Sequence, residues 1–297
     1  MGPVNVTEQP TNRAWIGILL VCGTTLCFAG LDTVAKYLTR EYHPLQVVWG
    51  RYFFQAVLIL PFIWRRGLRR SFATKRPKLQ IGRAILISLI TFMFFTTLRY
   101  LPMVDAQAIS FTMPLILTAI AFFFLGEKVG PRRWAAISVG FLGVLLIIRP
   151  TGDSMHWAAI LCLGCALLNA CFHLMTRTLA KHDRPEVGIA YAGFVGTAIF
   201  TLTVPSVWKS PDVGAFALLA SMGVLGALGH YWLSQAYIYA RASVIAPYVY
   251  VQMVWVALFG FTLFGDVPDM STVLGTAVVI AAGIYIFYRE RKLKGEG

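Results

Sequence analysis

Ten stretches of the chain are almost wholly apolar, each about 20 residues long, the length needed to cross a hydrocarbon layer. They run roughly over 15–38, 44–64, 81–98, 104–125, 133–149, 156–178, 186–208, 213–237, 243–264 and 270–288, with short polar connectors between them. Leu, Ile, Phe, Ala and Gly recur in them without alternation of apolar and polar positions. A barrel strand would alternate at period two over about ten residues, so the pattern predicts helices. A helix also makes its backbone hydrogen bonds internally, which a segment surrounded by lipid must do. The expected fold class is therefore an all-α polytopic membrane protein with ten transmembrane helices.

The pattern repeats. Tyr100 to Glu127 lies over Tyr239 to Asp266 without a gap at an offset of 139, and both copies end in Gly plus a carboxylate. Earlier in each copy, Lys36 and Pro44 fall on Arg177 and Pro185 at an offset of 141. Five spans per half is an odd number, so the second half enters the membrane from the opposite side. The expected organisation is a cytoplasmic tail over 1–14, one five-helix repeat over 15–150, an inverted second repeat over 156–289 and a basic cytoplasmic tail over 290–297. Inverted repeats place a substrate site near the bilayer midplane, between the halves.

Composition and charge narrow the class. Hydrophobic residues make up 58% of the 297 and charged residues 13%, too little polar surface for a soluble chain. Most of the 26 basic residues fall in alternate connectors, above all between Arg65 and Arg83. The net charge of +13 is then a topology signal, placing those connectors and both termini on the cytoplasmic side of the membrane. Scattered over short loops without interleaved aromatics, the basic residues do not describe a nucleic-acid surface. The expected partners are the lipid bilayer and a small-molecule substrate, and a self-sufficient ten-helix unit and a homodimer both stay open. The first apolar run is too long for a cleavable signal and continues into Asp32 and Lys36. Five cysteines, Cys22, Cys27, Cys162, Cys165 and Cys171, sit inside spans and read as small packing residues. No metal or other cofactor is expected.

The segments A-K-Y-L before the first hairpin, W-G-R-Y-F-F in the second span and L-R-Y-L-P-M-V-D-A-Q-A-I-S-F-T-M-P in the third and fourth carry a resemblance. So do the G-E/D endings, each followed by a Gly-spaced span with Gly140 and Gly143, or Gly275 and Gly283. Over residues 15–289 the chain resembles the EamA-type branch of the drug/metabolite transporter superfamily. The resemblance implies ten helices, cytoplasmic termini and a central cavity lined mainly by spans 1, 3, 4, 6, 8 and 9. It implies transport of amino acids, nucleotide-like metabolites, vitamins, metal chelators or drugs. The most similar subgroup includes carriers proposed for S-adenosylmethionine and riboflavin.

Polar and charged residues inside spans are costly and therefore candidates for function. Asp32 and Arg51 flank the first connector at similar depth, and Lys36 stands one turn above Asp32. One reading is a coupling or gating cluster that meets a zwitterionic substrate or a proton. The other is a salt bridge tying spans 1 and 2, with Lys36 snorkelling outward. In the second half His173 and Arg177 stand for Asp32 and Lys36, and Ala192 for Arg51, so the two ends of a cavity would differ chemically. Asn169, His173 and Thr176 form a polar stripe on span 6. Gly223, Gly226, His230, Ser234 and Tyr237 form one on span 8, beside Gln235. In spans 4 and 9, Gln107 and Ser110 share a face with Pro114, and Tyr248 and Gln252 with Trp255. The substrate-binding candidates are Asn169, His173, His230, Gln235, Tyr248, Gln252, Trp255, Gln107 and Ser110. Glu127 and Asp266 close the repeats at Gly turns, where solvation and helix capping account for them.

These residues predict a secondary transporter that moves a small organic metabolite by alternating access. A lipid or lipid-carrier flippase is the first alternative. An intramembrane enzyme is the second: no Gly-x-Ser-x-Gly, His-Glu-x-x-His or phosphate loop occurs, and His43, His156, His173, His182 and His230 are spread over the chain.

Overall fold

A computed structural model describes residues 14–125, 130–149, 157–179, 182–240 and 242–295, and helices are the only regular elements among them. Ten are long and apolar enough to cross a membrane: α1 (Ala14–Thr39), α2 (Pro44–Arg66), α3 (Pro77–Tyr100), α4 (Met103–Phe123), α5 (Pro131–Ile148), α6 (Trp157–Leu179), α7 (Glu186–Val207), α8 (Val213–Tyr239), α9 (Ala246–Phe264) and α10 (Met270–Arg289). They match the expected spans to within a few residues. Local signals fix several starts. Pro44, Pro77 and Pro131 stand in first turns, where a missing N–H costs nothing. His43 accepts from the Leu45 N–H at 3.2 Å, and Asp212 from the Ala215 N–H at 2.6 Å. Glu127, the carboxylate of the first repeat ending, lies outside the described residues, as do residues 1–13 and Lys128, Lys181 and Arg241.

Packing between the halves is reciprocal. The helix α1 lies along α8, and α6, its counterpart, lies along α3. Likewise α2 rests on α8 as α7 rests on α3, and α1 touches α9 as α6 touches α4. Two further pairs, α2 with α7 and α5 with α10, join helices to their own counterparts. Lipid tails are as apolar as Leu, so such contacts depend on close fit and on polar ties. The α5–α10 contact shows the fit. A Cβ on Gly275 would stand 2.5 Å from the Gly143 carbonyl oxygen, and one on Gly143 would stand 2.9 Å from that of Gly275.

Two counterparts are interrupted. The helix α4 consists of Met103–Ser110 and Met113–Leu125, parted just before Pro114. In α9, a 3₁₀ segment over Ala246–Val251 containing Pro247 precedes Gln252–Phe259, and a wide turn over Gly260–Phe264 follows. Proline removes a helical donor, and a broken helix is tolerated at membrane depth where protein or a cavity receives the freed groups. Both interruptions fall beside Gln107, Ser110 and Gln252.

Candidate intramembrane binding site

The expected polar residues converge from three helices. Gln252 on α9 donates to Asp32 of α1 at 3.3 Å and approaches Gln107 of α4 at 3.5 Å. All three are buried. On the same face of α4, Ser110 meets Cys162 of α6 at 3.6 Å, and the Cys162 thiol donates to the Ala106 carbonyl at 3.2 Å. Cys162 and Cys165 thus pack within the bundle.

The salt bridge weighed between Asp32 and Arg51 is absent. Arg51 donates to Thr91 of α3 at 2.7 Å, and Thr91 shares a hydrogen bond with the Tyr52 hydroxyl at 2.9 Å. No ion pair within 4.0 Å joins Asp32 to Arg51. Their shared depth did not bring them together because α1 spends its surface on α8, α9 and α3 and barely touches α2. Gln55, one turn beyond Arg51 and 2% exposed, completes this second group.

Lys36 does not snorkel. It is 7% exposed, donates to the Leu101 carbonyl at 2.7 Å and pairs with Asp266 at 3.1 Å. Asp266 therefore does more than cap its own turn. Its carboxylate also accepts from the Met103 N–H at 3.4 Å, at the start of α4. Gly265, at φ 70°, turns the chain so that Asp266 faces α1 and α4. Nearby, Thr272 donates to Asp105 at 2.9 Å and Arg149 pairs with Asp269. At this Lys36 end, α1 and α4 of the first half are tied to α9 and α10 of the second.

The opposite end is tied elsewhere, between the α2–α3 connector and the α6–α7 connector. Asp183 accepts from Thr74 at 2.6 Å and from Gln80 at 2.7 Å, and Arg66 pairs with Glu186 at 3.2 Å. Burial alone would raise the Asp183 carboxyl, but these bonds and the Lys75 backbone outweigh it and hold the carboxyl below its usual 3.8. An open hollow of about 900 Å³ lined by Leu68, Arg69, Phe72, Ala73, Thr74, Lys75, His182 and Asp183 lies here. Connector residues form it and none of the intramembrane polar groups lines it, so its size does not make it the substrate site.

The stripes divide. On α6, Asn169 is half-buried and Thr176 accepts from Arg83 at 3.3 Å. His173 is exposed at its surface. On α8, His230 is half-buried with its ring edge-to-face with Phe28, the ring centres 5.1 Å apart, whereas Ser234 bonds back to the His230 carbonyl. Gln235 and Asn169 carry no side-chain hydrogen bond among the described residues. Tyr248 is 37% exposed and does not join Gln252, while Trp255 is half-buried with its indole N–H unpartnered. Sequence reasoning missed Gln55, Thr91 and Tyr52. Gln55 was within reach of it, being a polar residue one turn from a charge inside a span.

The comparisons agree with this architecture. The sequence model described as the EamA-like transporter family matches residues 15–149 and again 156–289. The chain is 29% identical over 262 residues to an S-adenosylmethionine uptake transporter of Rickettsia felis, covering 88% of each. It is 30% identical over 295 residues to a riboflavin transporter of Rhizobium johnstonii, covering 98% of this chain and 97% of that one. A solved structure superposes over 92% of this chain and 96% of its own with a TM-score of 0.62 at 16% identity, a likeness of fold alone.

Proposed function

The chain belongs to the EamA-like transporter family, and from that premise we propose that it is a secondary transporter working by alternating access between two inverted five-helix repeats. At the coarser level it is a multi-pass membrane protein that moves a small metabolite, and it is not an enzyme. The repeats are 15–150 and 156–289. The reciprocal packing of α1 on α8 and α6 on α3 supports a two-fold relation, and the odd span number makes it an inverted one. Both termini face the cytoplasm, as the basic connectors direct.

The observation that carries the mechanism is the tie of Lys36 to Asp266 and Leu101. It joins α1 and the start of α4 to the end of α9 at one end of the bundle only. Such a contact must open when substrate passes that end and re-form when it leaves by the other. Substrate lies between the halves, walled by the polar groups of α1, α4, α6, α8 and α9. Its class is that of a vitamin-, nucleotide- or amino-acid-sized metabolite, as the relatives' names suggest.

The test is uptake of radiolabelled S-adenosylmethionine and riboflavin into liposomes that hold only this protein. Cysteines replacing Lys36 and Asp266 in a variant without native cysteines should stop flux when cross-linked and restore it on reduction. Undiminished flux through the cross-linked protein sinks the gating role. Scrambling of a labelled phospholipid without solute flux replaces the transporter reading with a flippase. A reporter after Arg76 should read as cytoplasmic; an extracytoplasmic reading reverses the orientation.

A further inference from the structure

Arg51 is a buried cation that no carboxylate among the described residues pairs with directly. Its guanidinium donates to the Thr91 hydroxyl at 2.7 Å and lies 5.0 Å from the Tyr52 ring centre and 5.9 Å from that of Phe95. No carboxylate among the described residues comes within 4.0 Å of it, and Asp32 acts on it only at longer range. Among the described residues its Nε–H has no hydrogen-bond partner, and neither has Oε1 of Gln55. The two side chains are 7% and 2% exposed, and they stand one turn apart on α2. Both face one spot on α8: a Cβ on Gly226 would lie 3.7 Å from Arg51 Nε and 3.5 Å from Gln55 Oε1, with the Leu31 side chain 3.3 Å away beside them. An unused donor, an unused acceptor and an unmatched charge therefore meet where α8 carries no side chain.

A buried charge without a counter-ion is strongly unfavourable, and inside a membrane it marks a place where something else becomes its partner. An anion supplies what Arg51 lacks. An N–H group supplies what Gln55 lacks. The compact group that offers both on neighbouring atoms is an α-amino acid head, with its carboxylate beside its ammonium.

We propose that Arg51, Gln55 and Gly226 form the subsite for the α-amino-carboxylate head of a zwitterionic substrate. The carboxylate is held on the Arg51 guanidinium and the ammonium is turned to Gln55 Oε1. This rests on the transporter reading above and sharpens it. A flavin offers only an uncharged imide edge and would leave Arg51 without an anion. The subsite therefore selects a solute of the S-adenosylmethionine kind over riboflavin.

The experiment is competition against radiolabelled S-adenosylmethionine on the purified full chain in nanodiscs, together with thermal unfolding. Decarboxylated S-adenosylmethionine, which keeps every other group, should compete at least about tenfold more weakly, the loss of a charge-assisted hydrogen bond. Arg51→Gln should melt, ligand-free, at or above the wild-type temperature, because a buried unpaired charge has gone. It should also lose the stabilisation that S-adenosylmethionine gives the wild type. Gly226→Ala keeps the charge and sets a methyl beside both groups, and should weaken S-adenosylmethionine without changing its own ligand-free melting by more than a few degrees. Equal competition by the decarboxylated compound overturns the proposal. So does an Arg51→Gln variant that melts lower yet still gains from S-adenosylmethionine. Flux of riboflavin by a protein that ignores S-adenosylmethionine overturns the subsite and leaves the transporter standing, whereas lipid scrambling without solute flux overturns the transporter itself.

Discussion

Lys36 and Arg51 are both 7% exposed, both basic and both carried by the first two spans, yet the protein treats them oppositely. Around Lys36 the chain brings a carboxylate, a carbonyl and the Phe264 ring, the last 5.4 Å from its ammonium. Around Arg51 it brings one hydroxyl and two aromatic faces. Burying a charge is tolerable when desolvation is offset by an opposite charge and hydrogen bonds. Lys36 meets that condition with Asp266 and Phe264 of the other half and Leu101 of its own, which suits it to the proposed latch. Arg51 does not meet it with the described residues, which is what suits it to the proposed docking point. Burial alone does not separate structure from function here; the identity of the partner does.

The comparison breaks most sharply at Asp266. Asp266→Asn leaves Lys36 buried beside a neutral amide and should destabilise the protein by about 3 kcal/mol. Pairing Lys36→Met with Asp266→Leu should return most of that loss. Unfolding measured in nanodiscs decides it, and an unchanged Asp266→Asn protein would reduce the latch to an incidental contact. Next comes Gln252→Leu, which takes from Asp32 the donor at 3.3 Å and from Gln107 its neighbour at 3.5 Å. A loss of about 1–2 kcal/mol is expected for groups left unsatisfied. A neutral outcome would show that Asp32 relies on other contacts.

The same measurement on Arg51→Gln should move in the opposite direction to Asp266→Asn, by about 1 kcal/mol toward greater stability. That difference of sign is the comparison itself in measurable form. A smaller effect belongs to the other end. Asp183 is held below its usual carboxyl value of 3.8 by Thr74, Gln80 and the Lys75 backbone. A carboxyl lowered in the folded state contributes stability that is fully present above the unfolded value and is lost as the pH falls through the folded one. Wild type and Asp183→Asn should therefore differ most at neutral pH and converge below pH 3.8. Parallel pH curves would remove Asp183 from the ties between the halves. Least of all should Lys209→Met matter. Its pair with Glu41 at 2.5 Å is exposed on both sides, and no measurable change in melting is expected.

Much of this was legible in the chain. The ten spans followed from run length, because lipid admits only segments that bond their own backbone. Gln107, Gln252 and Asp32 stood out as polar residues in apolar runs, and they do meet. The partners of the charged residues were not legible. Depth could be counted along α1 and α2, which placed Asp32 level with Arg51, but the rotation and neighbours of α1 could not. Those depend on which helices α1 packs against, and these are α8, α9 and α3 rather than α2, its partner in the first hairpin. Asp266 was misjudged for the same reason: a carboxylate after a Gly turn looks solvated until another helix presents a lysine to it.

What the sequence determined, then, is what depends on one segment and its solvent: span number, helical character, the two-fold repetition and the charge bias of the connectors. Hydropathy and backbone bonding act locally, so they can be read in order along the chain. What only the tertiary structure decided is which buried charge is answered and which is not. Lys36 and Asp266 stand 230 positions apart, and Gly226 reaches Arg51 from the other half. In lipid, with little hydrophobic force to sort one apolar face from another, close fit at small residues and a few polar contacts choose the neighbours. That choice is a property of all ten helices together.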